Sequence, residues 1–168
     1  AQREHIAQAL DAFQRHTRHR PDGWLSQDWG TTPDTFGLLA QAGLRYTLDW
    51  CNDDQAYLLS ASPGSAGAPM AAVPLSAEWD DVQCQWLRQL SARAHADLTL
   101  QAFDRLRAEC AQHRRQAVFG LALHPWLCGM SSRIAALRQL LQSLRSRTGV
   151  QWVDPGLLAT QAQASASP

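Results

Sequence analysis

Lysine is absent from this 168-residue chain: all fifteen basic residues are arginine, and fifteen acidic residues balance them. The formal net charge is therefore zero, and no basic block stands out along the sequence. Nucleic acids and anionic membrane surfaces are recognised largely through clustered positive charge. We therefore expect neither nucleic acid nor a membrane as a partner.

Cysteine is sparse, and long apolar runs are missing. The four cysteines are widely separated, unlike the dense pattern of small disulfide-stapled proteins: Cys51, Cys84, Cys110 and Cys128. We therefore expect free thiols in a reducing compartment, and a cytoplasmic location. No apolar run approaches the ~18 residues that a membrane-spanning helix requires.

What the chain does contain is helical periodicity. Apolar residues recur at helical spacing, and breakers such as Pro21 and Gly43 mark the ends of these segments. The pattern predicts helices over residues 3–19, 32–43, 81–90 and 93–113, and from Ser131 or Ser132 to Gly149.

Shorter apolar segments between the helices predict strands over residues 44–50, 116–123 and 150–153. Two more, 56–59 and 70–73, flank a Pro/Gly-rich turn at 63–67 and predict a β-hairpin excursion. Parallel strands alternating with helices indicate an α/β fold. A closed eight-stranded barrel needs ~250 residues, so this chain can hold at most half of one. We expect a domain over residues 1–153 and a flexible tail over residues 154–168.

Two titratable residues follow predicted strands. Asp49 ends the first, and His124 ends the strand over 116–123. In a βα barrel, chemistry lies at the carboxyl ends of the strands. Histidine is the usual acid/base near neutral pH, and an adjacent carboxylate can fix its tautomer. A histidine after an apolar strand can equally be a hydrogen-bonded structural residue.

Three segments carry a resemblance to a known family. They are Arg-Pro-Asp-Gly-Trp at 20–24, Asp-Trp-Cys-Asn-Asp-Asp-Gln at 49–55, and Leu-Ala-Leu-His-Pro-Trp at 121–126. In this order they resemble the later motifs of the polysaccharide deacetylase superfamily (carbohydrate esterase family 4). The branch resembled includes bacterial allantoinase-like and peptidoglycan-deacetylase-like proteins, and the resemblance runs from about Ile6 to Leu144.

The resemblance implies a fold and an activity. The fold would be a distorted (β/α) barrel, with residues 1–153 as its C-terminal half. The activity would be hydrolysis of non-peptide carbon–nitrogen (amide) bonds, in a small-molecule or sugar amide substrate. The cofactor would be zinc or another divalent metal whose ligands lie upstream, so no metal ligand is assigned in this chain.

The resemblance also implies roles for individual residues. His124 would protonate the leaving amine, and Asp49 would be the carboxylate that orients His124. Arg20 would be the cation near a catalytic Asp. Five residues would contact substrate: Trp50 and Trp126 as pocket walls, Asp53 and Asp54 at its mouth, and Arg133 in the following helix. The sequence departs from the family pattern at Ala56 and at Met130, where proline and glutamine are usual.

Three alternatives remain open at this stage. The chain could be a non-catalytic remnant of the deacetylase fold that acts in binding or assembly, or a half-domain that pairs with a separate chain. Homo-oligomerisation is also compatible with an incomplete barrel.

His16 and His19 share a helix face and could imitate a metal pair, although no carboxylate or cysteine nearby completes a set.

Overall fold

The computed structural model of the chain describes residues 1–59 and 69–165. The α-helices are α1 (Gln2–Thr17), α2 (Thr35–Gln41), α3 (Ala92–His113), α4 (Pro125–Cys128), α5 (Ile134–Arg145) and α6 (Pro155–Ser165). The strands are β1 (Gly23–Trp24), β2 (Tyr46–Thr47), β3 (Tyr57–Leu58) and β4 (Ala71–Ala72). Short 3₁₀ turns cover Gln27–Trp29 and Ala77–Trp79, and a π-helical segment covers Val82–Leu87.

The chain divides into two compact units. The first comprises residues 1–74 and 153–168, and the second comprises residues 75–152. Of the helices in the described ranges, none is long and apolar enough to span a bilayer.

The first unit contains a four-stranded sheet in the order β1-β2-β4-β3. β1 pairs parallel to β2, and β2 pairs parallel to β4, which confirms a mixed α/β unit with a mostly parallel sheet. The predicted hairpin is also present, because β3 runs antiparallel to β4. Its predicted turn at 63–67 lies outside the described residues. Closure of this sheet into a barrel stays a prediction.

The core of the first unit lies where α1 and α2 pack together. Ile6 and Leu10, one helical turn apart on α1, are buried in one cluster with Leu39 of α2. Each fully buried side chain of this kind contributes roughly 1.5–3 kcal/mol. α1 ends at Thr17, earlier than predicted, because Arg18 adopts left-handed backbone geometry (φ 60°) and donates its N–H to Gln14.

Residues 154–168, predicted as a flexible tail, instead contain helix α6 over Pro155–Ser165. Asp154 begins the helix by accepting the Gly156 N–H at 2.7 Å. Ala159, which is fully buried, lies on the face of α6 that packs on the sheet. The sequence pattern is weak because small residues form this face. Residues 153–165 therefore belong to the first unit, and 166–168 lie outside the described residues.

In the second unit α3 packs against α5. Leu140 and Leu144 of the predicted stripe are buried there with Ala96 of α3. Arg147 reinforces the pair from beyond the end of α5, donating two hydrogen bonds to Asp104 of α3 at 3.0 and 2.7 Å.

The predicted strands at 116–123 and 150–153 do not form strands in the described structure. A strand needs a neighbouring backbone for its ladder of hydrogen bonds. The apolar pattern of 116–123 serves side-chain packing instead. Phe119 stacks on Trp79 with ring centroids 4.6 Å apart, and the Trp79 indole donates to the Gly120 carbonyl at 2.8 Å.

Candidate active site

His124 is held by two hydrogen bonds to one carboxylate. It lies at the N-cap of α4, after an extended segment and directly before Pro125. Its backbone N–H donates to Asp81 Oδ2 at 2.8 Å, and its ring Nδ1 bonds Asp81 Oδ1 at 2.6 Å. An ionised carboxylate can only accept, so Nδ1 is the donor in this bond. Asp81 therefore sets both the orientation and the tautomer of the ring.

The pair is buried at one end and accessible at the other. Asp81 is fully buried, whereas the His124 side chain is 41% exposed. Within residues 75–152, no hydrogen bond engages His124 Nε2. With Nδ1 occupied, Nε2 is the ring position that can exchange a proton with a bound molecule.

Asp80 plays a different part from its neighbour. Its Oδ1 accepts the Gln83 N–H at 2.8 Å and so caps the π-helical segment, as an Asp before a helix is expected to do. Its Oδ2 is buried, has no hydrogen-bond partner in the described structure, and lies 3.7 Å from His124 Nδ1. A buried carboxylate oxygen is costly to leave without a hydrogen-bond partner.

Asp80, Asp81 and His124 could together hold a metal ion, because one ligand atom from each lies within 4.8 Å of the others. This corrects the expectation that the chain offers no candidate ligand set. The fit to a resident metal is nevertheless incomplete. Asp81 Oδ1 is bonded to His124 Nδ1 and Asp81 Oδ2 to the His124 backbone N–H, so a metal bound through Nδ1 would have to displace the Nδ1 hydrogen bond. Asp80 Oδ2 is the carboxylate oxygen of this group that has no hydrogen-bond partner in the described structure.

The cysteines nearby are not nucleophiles. Cys128 donates its thiol to the His124 carbonyl at 3.2 Å, and burial and then the Asp81 carboxylate raise its pKa. Cys84 donates to the Glu78 carbonyl, and burial raises its pKa too. A raised pKa keeps both thiols protonated and unreactive. None of the four cysteines forms a disulfide bond in the described part of the chain.

Asp49 lies in the first unit and makes its bonds there. Its Oδ1 accepts the Ser26 N–H at 2.7 Å, and its Oδ2 accepts the hydroxyls of Ser26 and Thr47, both at 2.9 Å. These bonds tie the segment after β1 to the end of β2. Within the second unit, Asp81 is the carboxylate that bonds His124 Nδ1. The predicted role of Asp49 in orienting His124 stays a prediction.

The other predicted site residues of the first unit have local partners. Arg20 donates to the Ala42 carbonyl at 2.6 Å, just beyond α2. Trp50 is 42% exposed and meets the Phe36 ring edge-on. Asp53 is exposed and accepts the Asp54 N–H at 2.6 Å. None of these contacts tests a catalytic or substrate-binding role, so those roles stay predictions.

Trp126 and Arg133 are the other predicted site residues of the second unit. Trp126 is 58% exposed, and its ring centroid is 6.1 Å from that of His124. Arg133 is partly buried and directs a guanidinium nitrogen to the Met130 sulfur at 3.5 Å.

His16 of α1 and His19, which lies just beyond that helix, do not join a ligand cluster among the described residues. His16 and His19 are both exposed, and His16 Nδ1 lies 2.7 Å from the Ala12 carbonyl. Neither histidine joins a group of three metal-ligating residues in the ranges that the structure describes.

The sequence alone does not single out two residues of this region. Two acids before a helical pattern, Asp80 and Asp81, predict a helix cap and not a partner of His124. Nothing in the sequence distinguishes Trp86, whose ring packs edge-on against Trp126 at 5.9 Å, from a packing tryptophan. Proximity in space identifies both residues, Asp81 beside His124 and Trp86 beside Trp126, and an isolated sequence does not contain it.

The sequence matches no family model and no curated protein. Among solved structures, it is similar to a Puue allantoinase at 26% identity and a TM-score of 0.84, covering 98% of this chain and 53% of that one. It is similar to a probable polysaccharide deacetylase from Pseudomonas aeruginosa PAO1 at 25% identity and a TM-score of 0.84, with the same coverage. It also shares the fold of a polysaccharide deacetylase from Mycobacterium smegmatis at 21% identity and a TM-score of 0.82, covering 97% of this chain and 56% of that one.

The chain thus spans about half the length of the structures it matches. The match includes nearly all of its own residues, so the likeness is not confined to one motif. The resemblance predicted from the three sequence segments is confirmed: this chain has the fold of about half of an allantoinase or polysaccharide deacetylase structure.

Proposed function

We propose that this chain supplies the acid–base part of a hydrolase that cleaves non-peptide carbon–nitrogen bonds in small-molecule or sugar amides. The observation that carries the proposal is the Asp81–His124 pair, which clamps Nδ1 and leaves Nε2 without a partner in its own unit. The names of the similar structures, an allantoinase and polysaccharide deacetylases, denote hydrolases and support this reading.

Amide hydrolysis needs an acid because an amine anion is a poor leaving group. A His124 ring protonated at both nitrogens would donate the Nε2 proton to the departing nitrogen as the carbon–nitrogen bond breaks. Asp81, which accepts from Nδ1, would stabilise the positive ring before that transfer and hold it in line. Proton transfer from a positioned side chain contributes roughly 10²–10⁴-fold to turnover.

The complete enzyme is proposed to use zinc or another divalent metal, with its principal ligands outside this chain. A bound metal supplies polarisation of the amide carbonyl and a more acidic water. In this chain, Asp80 Oδ2 is the buried oxygen without a partner that could approach such an ion. The bonded Asp81–His124 pair would then remain an acid–base pair rather than a ligand pair.

Turnover by the full-length protein tests the proposal. We expect release of acetate from N-acetylglucosamine oligomers, or ring opening of allantoin, and loss of either activity in His124→Ala. A folded protein that cleaves neither class across pH 5–9, with zinc or other divalent metals added, would contradict the proposal and favour a binding or assembly module.

A further inference from the structure

Two tryptophan rings form an exposed aromatic corner next to His124. Trp86 is 56% exposed and Trp126 is 58% exposed, and their ring centroids are 5.9 Å apart at an interplanar angle of 78°. The Trp126 ring is in turn 6.1 Å from the His124 ring. Trp126 therefore contacts both other rings, Trp86 on one side and His124, the proposed acid, on the other.

The backbone that positions the acid also positions both indoles. Trp86 lies in the π-helical segment Val82–Leu87, which begins directly after Asp81. Trp126 lies two residues after His124, inside α4. π-Helical turns are rare and occur frequently at functional sites. This turn links the carboxylate that clamps His124 to the indole at the outer side of the corner.

The two exposed indoles are not packed in the way that a core tryptophan is. Trp79, by comparison, stacks on Phe119 at 4.6 Å and donates its indole N–H to a backbone carbonyl. Trp86 instead meets another exposed ring edge-on, an arrangement in which one indole turns its face toward the edge of the other. Indole faces bind flat or apolar faces of small rings, as they do stacked bases.

We propose that the aromatic corner binds the ring of the substrate, and that Trp86 is a specificity-determining residue for the hydrolase. The position of the scissile amide beside Nε2 rests on the proposed function, whereas ring binding does not require turnover. The ligand chemistry is a compact amide-bearing ring with one apolar or π face. A pyranose with its C–H face and a planar ureide ring both satisfy it.

Equilibrium binding to the full-length protein tests the inference, with tri-N-acetylchitotriose and allantoin as separate probes measured by calorimetry. We expect one of the two to bind, and Trp86→Ala and Trp126→Ala each to weaken it on the order of tenfold, the scale of one stacked ring. Trp86→Phe should retain most of the affinity, because it keeps an aromatic face. Trp152→Ala is the matched control, since Trp152 is 60% exposed and lies outside the corner.

The outcomes distinguish ring binding at the aromatic corner from the proposed hydrolase function. Binding that depends on Trp86 but is not followed by hydrolysis would support the corner and reject the proposed function. Hydrolysis with a KM that is the same in Trp86→Ala and Trp152→Ala would overturn the corner and leave the function intact. Absence of binding by both probes, or a change only in oligomeric state on loss of Trp86, would also overturn the inference. Thermal melting of each variant shows that it is folded.

Discussion

A histidine whose Nδ1 is clamped by a buried carboxylate can exchange protons at Nε2 only. In this chain the clamp is doubled, since Asp81 also accepts the backbone N–H of His124. The Asp81 carboxylate therefore holds both the ring and the backbone of His124. Removing its charge should affect the chemistry more than the fold.

Asp81→Asn should lower turnover of the full-length protein by roughly 10²–10⁴, about as much as His124→Ala. An amide can keep one of the two bonds but cannot stabilise the positive ring. Because the pair acts as a unit, the double variant should lose little more than either single variant. Steady-state kinetics of the three variants check this, and fully additive losses would argue against a shared role.

Asp49→Asn is the matched control for that experiment. Asp49 is likewise buried and multiply hydrogen-bonded, but to Ser26 and Thr47. Its substitution should lower the free energy of unfolding while the folded fraction keeps its turnover. Loss of turnover in a fully folded Asp49→Asn variant would instead support the role that the family resemblance implies for this residue.

His124 and Asp81 differ in how far a single sequence identifies them. His124 was identifiable because it ends an apolar segment inside a Leu-x-Leu-His-Pro motif. Asp81 was not, since its partner lies 43 residues away along the chain. An Asp-Asp pair before a helix predicts capping equally well, and Asp80 does cap.

Among the elements, helix α6 makes the clearest test of packing. Ala159 is fully buried, and α6 packs on β2, β3 and β4. Ala159→Leu should destabilise the protein by roughly 1–3 kcal/mol through overpacking. Ala164→Leu in the same helix is the control, because Ala164 is exposed. Urea unfolding followed by circular dichroism measures both, and equal effects would contradict this packing of α6.

The link between α3 and α5 should depend on pH. Hydrogen bonds from Arg147 lower the pKa of Asp104, with nearby positive charge adding to the effect. The stabilisation is thus present above the ordinary pKa of about 4 and disappears as pH falls through the lower folded-state pKa. Asp104→Asn should reduce Tm slightly at pH 7 and leave it unchanged near pH 2. An equal Tm difference at both pH values would contradict the ion pair.

Elements differed in how well the sequence predicted them. α3 and α5 carry long periodic stripes of large apolar residues, and both helices are present. α3 begins within one residue of its predicted start, whereas α5 covers only Ile134–Arg145 of the predicted segment that ends at Gly149. α6 was missed because Gly156 and Ala159 contribute too little hydrophobic signal. The segment 116–123 was predicted as a strand because local alternation reports burial, whereas a ladder depends on a neighbouring backbone that sequence does not specify.

The whole chain matches about half of each similar structure. Outside the aromatic corner, eight large apolar side chains are more than 40% exposed in the described structure: Phe13, Leu25, Trp50, Leu87, Met130, Trp152, Val153 and Leu157. Exposed large apolar side chains favour association where they form a contiguous patch. Residues 1–168 expressed alone should therefore self-associate or require a partner chain.

Size-exclusion chromatography with light scattering checks this directly. We expect a mass above that of the monomer, or aggregation that the remaining part of a longer protein suppresses. A monomeric species that melts cooperatively would contradict the expectation and make the segment a self-sufficient domain.

We propose His124 as a proton donor and not as a metal ligand. Turnover and bound metal, measured together on full-length wild type and His124→Ala, distinguish the two roles. We expect turnover in His124→Ala to fall by roughly 10²–10⁴ with metal content unchanged. Wild-type turnover in His124→Ala, or loss of the metal together with activity, would contradict it.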